Sequence, residues 1–61
     1  MTEAKQKAKE MVEEFGLEDA KFRCKSILET SYQMTQRYPT EANSHAFQFW
    51  GDVMDELNEM V

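Results

Sequence analysis

Arg23, Lys25 and Arg37, with Lys21 beside them, place cations on a stretch that also holds Tyr32 and Tyr38. Guanidinium groups pair bidentately with phosphate, and aromatic rings stack on bases. Arg23, Lys25, Tyr32 and Arg37 are therefore the candidate set for a phosphorylated nucleotide, with Trp50 as a further aromatic face. No Gly-rich loop accompanies them, so a phosphate site would be built from side chains and helix N-termini. The competing reading is a solvated cationic surface with its aromatics in the core.

A second cluster is acidic: Asp52, Asp55, Glu56 and Glu59. It could imitate a phosphate backbone or dock a basic partner. It is also what the wet side of an amphipathic helix looks like. Negative charge near a helix C-terminus is mildly unfavourable, which adds slightly to the functional reading, but the wet face is the commoner reason for such a run.

Two single residues complete the inventory. Cys24 falls between Ala20 and Ile27 on an apolar stripe, where a small core residue is expected. A nucleophile would need an exposed electropositive setting and a base. His45 shares a narrow helical stripe with Glu41, Asp52 and Glu56, which could form half of a divalent-metal site completed by a symmetry mate. Di-metal carboxylate bundles use Glu-x-x-His at i, i+3 on paired helices. Here the spacing from Glu41 to His45 is i+4 and there is one histidine. A solvated acidic face is the better reading, and neither metal nor cofactor is expected. No nucleophile motif or phosphate loop is present, so no catalytic set is expected and the chain reads as a non-enzyme.

These residues sit on 61 residues, one domain at the low edge of independent stability. One cysteine excludes an internal disulfide and fits a reducing, cytoplasmic setting. One Cys and one His do not make a structural zinc site. The charged opening segment reads as neither signal peptide nor membrane anchor, and no stretch reaches the roughly 18 apolar residues of a membrane span. A net charge of −5 argues against general nucleic-acid binding. The charge is uneven: residues 39–61 carry no Lys or Arg, while residues 17–38 have a slight basic excess.

Two glycines, one proline and almost continuous helix period predict an all-α chain. Three helices are expected, over about 2–15, 18–38 and 41–60, in a small antiparallel bundle. Thr2 is the expected first N-cap. Ala4, Ala8, Met11, Val12 and Phe15 make a thin stripe. Gly16 is the expected left-handed stop, with Leu17 folding back toward Val12. On the second helix Ala20, Cys24, Ile27, Leu28, Ser31, Met34, Thr35 and Tyr38 share a face, Tyr32 lies at its edge, and Phe22 points away. Pro39 breaks the helix, and Thr40 or Ser44 can cap the third. There Ala42, Ala46, Phe49, Trp50, Val53, Met54, Leu57, Met60 and Val61 cover about half the circumference, with Phe47 at the margin. Gly51 lies inside the third helix, at a helix cost of about 1 kcal/mol against Ala, and a close backbone approach is one reason for it.

That third face is wider than the roughly 100° stripe of an ordinary surface helix. Its partners do not obviously consume Phe47, Phe49, Trp50 and Met54, each worth about 1.5–3 kcal/mol when buried. Self-association is expected, most simply a symmetric dimer through the third helix with help from Phe22. A compact monomer with splayed helices is the alternative.

"KAKEMVEEFG" (7–16), "CKSILE" (24–29) and "FWGDVMDELNEM" (49–60) together resemble a loose group of short bacteriophage and prophage proteins. Those chains open with Lys-Ala-Lys-Glu-Leu-Val and a following Phe. They carry a middle helix ending in Ile-Leu-Glu and close with an aromatic-Trp pair on an acidic amphipathic helix. The likeness touches about half the chain, and an insertion found between the first two segments of longer members is absent. It implies a viral accessory protein in the cytoplasm of an infected host, acting against host defences by binding. No functional residue transfers with it. Two targets follow as expectations, the first preferred because inter-subunit pockets suit the surplus apolar surface and the basic second helix. One is a small nucleotide signal, sequestered between subunits by Arg23, Lys25, Arg37 and Tyr32. The other is a host defence protein, met through Asp52, Asp55, Glu59 and the apolar third helix. A helix bundle with no ligand is a third.

Overall fold

A computed structural model describes residues 2–60, and of Thr2 the backbone alone. Three α-helices follow one another: α1 (Thr2–Phe15), α2 (Leu17–Arg37) and α3 (Glu41–Glu59). They pack as a small three-helix bundle with no strand among the described residues. The capping role expected of the Thr2 side chain, and the place of Val61 on the third stripe, lie outside what is described.

A single residue joins α1 to α2. Gly16 has φ +86° and ψ 160°, a region closed to residues with a side chain. Its N–H donates to the Val12 carbonyl at 2.8 Å and its carbonyl accepts from the Ala20 N–H at 2.9 Å. One residue thus closes one helix and opens the next. Leu17, expected in the joint, is the first residue of α2, and like Val12 it packs against the core. The tight joint starts α2 one residue early.

Pro39 ends α2 by forcing Tyr38 to φ −131° and ψ 82°. Thr40 caps α3, its hydroxyl accepting from the Asn43 N–H at 3.2 Å. The Asn43 side-chain amide reaches back, donating to the Tyr38 carbonyl at 2.7 Å and more weakly to that of Met34 at 3.5 Å. The Thr35 hydroxyl stands 2.8 Å from the Ser31 carbonyl and 3.1 Å from that of Asn43, either of which accepts its proton. This clasp fixes the angle between α2 and α3.

The core gathers at one end. Ala4, Ala8 and Met11 of α1, Ala20 and Cys24 of α2, and Val53 and Leu57 of α3 are buried. Small residues on α1 and α2 let those backbones approach, while α3 supplies the larger side chains. The geometry follows from length: α1 has 14 residues against 21 in α2 and 19 in α3. At about 1.5 Å per residue, α1 stops roughly 10 Å short of the far end of α2. The distal third of the α2–α3 hairpin therefore stands without a third helix. The radius of gyration is 11.5 Å, above the roughly 10.5 Å of a compact chain this long. The accessible area is 4661 Å², against about 4100 Å² for a compact monomer of this mass.

Candidate functional site

The apolar surface left over lies mainly on α2. Phe22 is 72% exposed, Tyr38 58% and Tyr32 51%, and Met34 and Ile27 are also exposed. Phe22 points away from the bundle as expected. Ile27, Met34 and Tyr38 do not share the fate of Ala20 and Cys24, although all five lie on the stripe expected to be buried. Met34 falls on the flank that a longer α1 would have roofed, and Tyr38 lies at the unroofed end, while Ile27 lies within the length of α1 and is 36% exposed. On α3 the rings expected to be surplus are half-buried. Phe49, Trp50 and Met54 pack against the core. Phe49 stands edge-on to Trp50 at 5.3 Å and lines a shallow hollow with Gln6, Lys7 and Glu10 of α1. Phe47 leans on Tyr32, ring centres 5.6 Å apart.

The four candidate nucleotide contacts do not converge within one chain. Two residues on a helix turn about 200°, so Lys25 points away from Arg23. Arg23 and Arg37 lie fourteen residues apart, about 21 Å along the axis. Arg23 already has partners: its guanidinium lies 4.1 Å from the centre of the Phe15 ring and 3.8 Å from the Asp19 carboxylate. It ties the start of α2 to the end of α1. Lys25 and Tyr32 do share a flank, about 10 Å apart along the axis. There Tyr32 and Phe47 edge a shallow hollow with Leu28, Glu29 and Gln33.

The acidic cluster spreads over the outer side of α3, where Asp55 and Glu59 are exposed and Asp52 and Glu56 half-buried. Among the described residues the one ion pair is Asp19–Arg23, so neither these carboxylates nor Lys21, Lys25 and Arg37 are spent inside the chain. Glu41, His45, Asp52 and Glu56 keep to one side of α3. Among the described residues no three Asp, Glu, His or Cys side chains gather closely enough to hold a metal ion.

Cys24 is fully buried. Its thiol donates to the Trp50 carbonyl at 3.6 Å, and burial pushes its pKa up. A protonated, enclosed thiol is a core group. No described helix is long and apolar enough to cross a membrane.

No protein-family model, curated protein or solved structure matches the chain.

Sequence reasoning missed two residues that shape this surface. Asn43 has no role in the sequence reading, yet it holds the hairpin's corner. Its signal was an Asn three residues after a capping Thr, within reach of the carbonyls that Pro39 frees. Phe15 was read as core, and it also occupies Arg23. The pair is separated by two turns of sequence across a joint, which a wheel of either helix alone does not show.

Proposed function

We propose that this chain is a non-enzymatic binding protein, a phage accessory protein of the kind its segments resemble, that works through protein contacts of the α2–α3 hairpin. One observation carries the reading: the large exposed apolar side chains all lie on α2 or at its C-cap. Leaving them in water forgoes burial energy that a partner surface would recover. The buried, protonated Cys24 and the exposed His45 supply no reacting pair, which supports action by binding alone.

Host-defence inhibition is the role this reading assigns, with self-association as the state in which the protein acts. The acidic side of α3, unspent inside the chain, is the face offered to a basic host component. Light scattering at micromolar concentration tests the assembly. Binding to a purified defence protein, compared between the native chain and a D52N/D55N/E59Q variant, tests the target. A monomeric native chain whose target binding ignores those substitutions rejects the proposal.

Nucleotide sequestration is the second reading, favoured by one observation: Lys25 lies on the same flank as the Tyr32–Phe47 ring pair. The divergence of Arg23 and Arg37 confines any such site to the junction between copies. Thermal shift with a panel of cyclic and linear nucleotides tests it, and an unchanged melting temperature throughout rejects it.

A further inference from the structure

The hairpin has two broad sides. On one, α1 lies in the groove: Phe15 meets Arg23 of α2, and Gln6, Lys7 and Glu10 meet Phe49 of α3. The other side carries no helix. Its middle is apolar, with Leu28 and Tyr32 from α2 and Phe47 and Met54 from α3. All four are partly or largely exposed.

Charge borders this strip unequally. Helical spacing puts Lys21 and Lys25 along its α2 edge, with Glu29 at the hollow beyond them, and Asp55 along its α3 edge. Neither the two lysines nor Asp55 has an ion-pair partner among the described residues. Two helices of about 30 Å, each about 10 Å across, present some 600 Å². That is the low end of what each partner contributes to a standard interface.

We infer that the helix-free side of the α2–α3 hairpin is a two-fold interface with a second copy of this chain, in which α2 of each copy lies on α3 of the other. The inference rests on the proposed self-association and names its face and orientation. A two-fold axis parallel to the helices sets Lys21 and Lys25 of one copy at the level of Asp55 in the other, twice over. It makes a four-helix arrangement in which every helix is antiparallel to both neighbours. An axis across the helices would instead place α2 on α2 and α3 on α3, so that Lys25 would meet Glu29 of the other α2 while Asp55, on a helix without Lys or Arg, would meet no cation. Charge complementarity therefore selects the first axis.

Charge reversal tests the inference on the full chain, because Lys25 and Asp55 are exposed and their substitution leaves the core intact. Sedimentation equilibrium should show Lys25→Glu and Asp55→Lys each weakening the dimer about tenfold, with the double variant recovering most of the loss. Raising salt should weaken the native dimer and narrow the difference. Met34→Glu and Tyr38→Glu, at the α1-side flank and far end, should leave association unchanged. Association that ignores Lys25→Glu and Asp55→Lys but is lost with Met34→Glu overturns the face while leaving self-association standing. Two single variants that weaken the dimer without mutual recovery overturn the orientation. A native chain that stays monomeric removes both this interface and the assembly it rests on.

Discussion

Tyr32 leans its ring on Phe47 at 5.6 Å and 48°, on the side of the hairpin that α1 does not reach. Tyr32 is half in water, so the pair closes α2 against α3 while keeping an apolar edge outside. A contact inside the chain can therefore also be the start of a contact between chains. Removing the Tyr32 ring should cost the monomer little, about 0.5–1.5 kcal/mol for the lost ring pair. Tyr32→Ala should unfold in urea at a slightly lower midpoint than the native chain and sediment as a monomer. A variant that keeps its native association would detach Tyr32 from the interface.

The two glycines should answer alanine in opposite directions. Gly16 sits at φ +86°, and Ala there should cost about 1–3 kcal/mol although a methyl group would meet nothing within 4 Å. Gly51 lies inside α3, and a Cβ there also meets only open space. No helix of this chain approaches it, so the close backbone approach considered for it is absent within the chain. Gly51→Ala should stabilise by about 0.5–1 kcal/mol, raising the melting temperature by a few degrees. Calorimetry of both variants at low concentration checks the pair, and a shift of the same sign in both would contradict the backbone argument.

Asn43 should matter as a donor. Asn43→Ala loses the bonds to the Tyr38 and Met34 carbonyls and should cost about 1 kcal/mol. Asn43→Asp should cost at least as much, since a carboxylate cannot donate to those oxygens. Urea midpoints above pH 6 decide it. An Asp variant as stable as the native chain would show that Asn43 holds α3 only through its backbone.

Much of this architecture was legible in the sequence, and the reasons are local. Gly16 and Pro39 mark the joints because each changes what the backbone can do. Thr40 marks the start of α3 because its hydroxyl can accept an orphan N–H. Helical period located Ala8, Cys24, Val53 and Leu57 in the core. The fates of Met34 and Tyr38 were not legible from their stripe. A helical wheel treats a face as covered along its whole length, whereas α1 is a third shorter than α2. Arg23 likewise looked free until the one-residue joint brought Phe15 beneath it. Candidate site residues were located by type, but whether they converge depends on turns of 100° that their clustering in sequence conceals.

Cys24 should behave as a core thiol. Its labelling by a disulfide reagent should be slow in the native chain and should accelerate with denaturant in step with unfolding. Burial raises its pKa, so the folded state holds the proton more firmly than the unfolded state. The stability this contributes is complete at neutral pH and is lost as pH rises from about 9 upwards. Cys24→Ala should flatten that part of the pH profile. Rapid labelling of native protein at pH 7 would contradict the enclosed position.

If a nucleotide is held between copies, Lys25 and Tyr32 should carry the effect. Thermal stabilisation by the bound nucleotide should vanish in Lys25→Ala and Tyr32→Ala and persist in Arg37→Ala. Arg23→Ala should lower the baseline stability by up to about 1 kcal/mol through its lost contact with Phe15, with the shift retained. Dependence on Arg37 in place of Lys25 would move the site to the other flank.

The account stands on association of copies through the uncovered hairpin, and sedimentation equilibrium of the native chain from micromolar to millimolar concentration measures it most directly. The expected result is a reversible rise in mass from 7.2 kDa toward twice that value, reversed by Tyr32→Glu. A single species of 7.2 kDa across the whole range would contradict it.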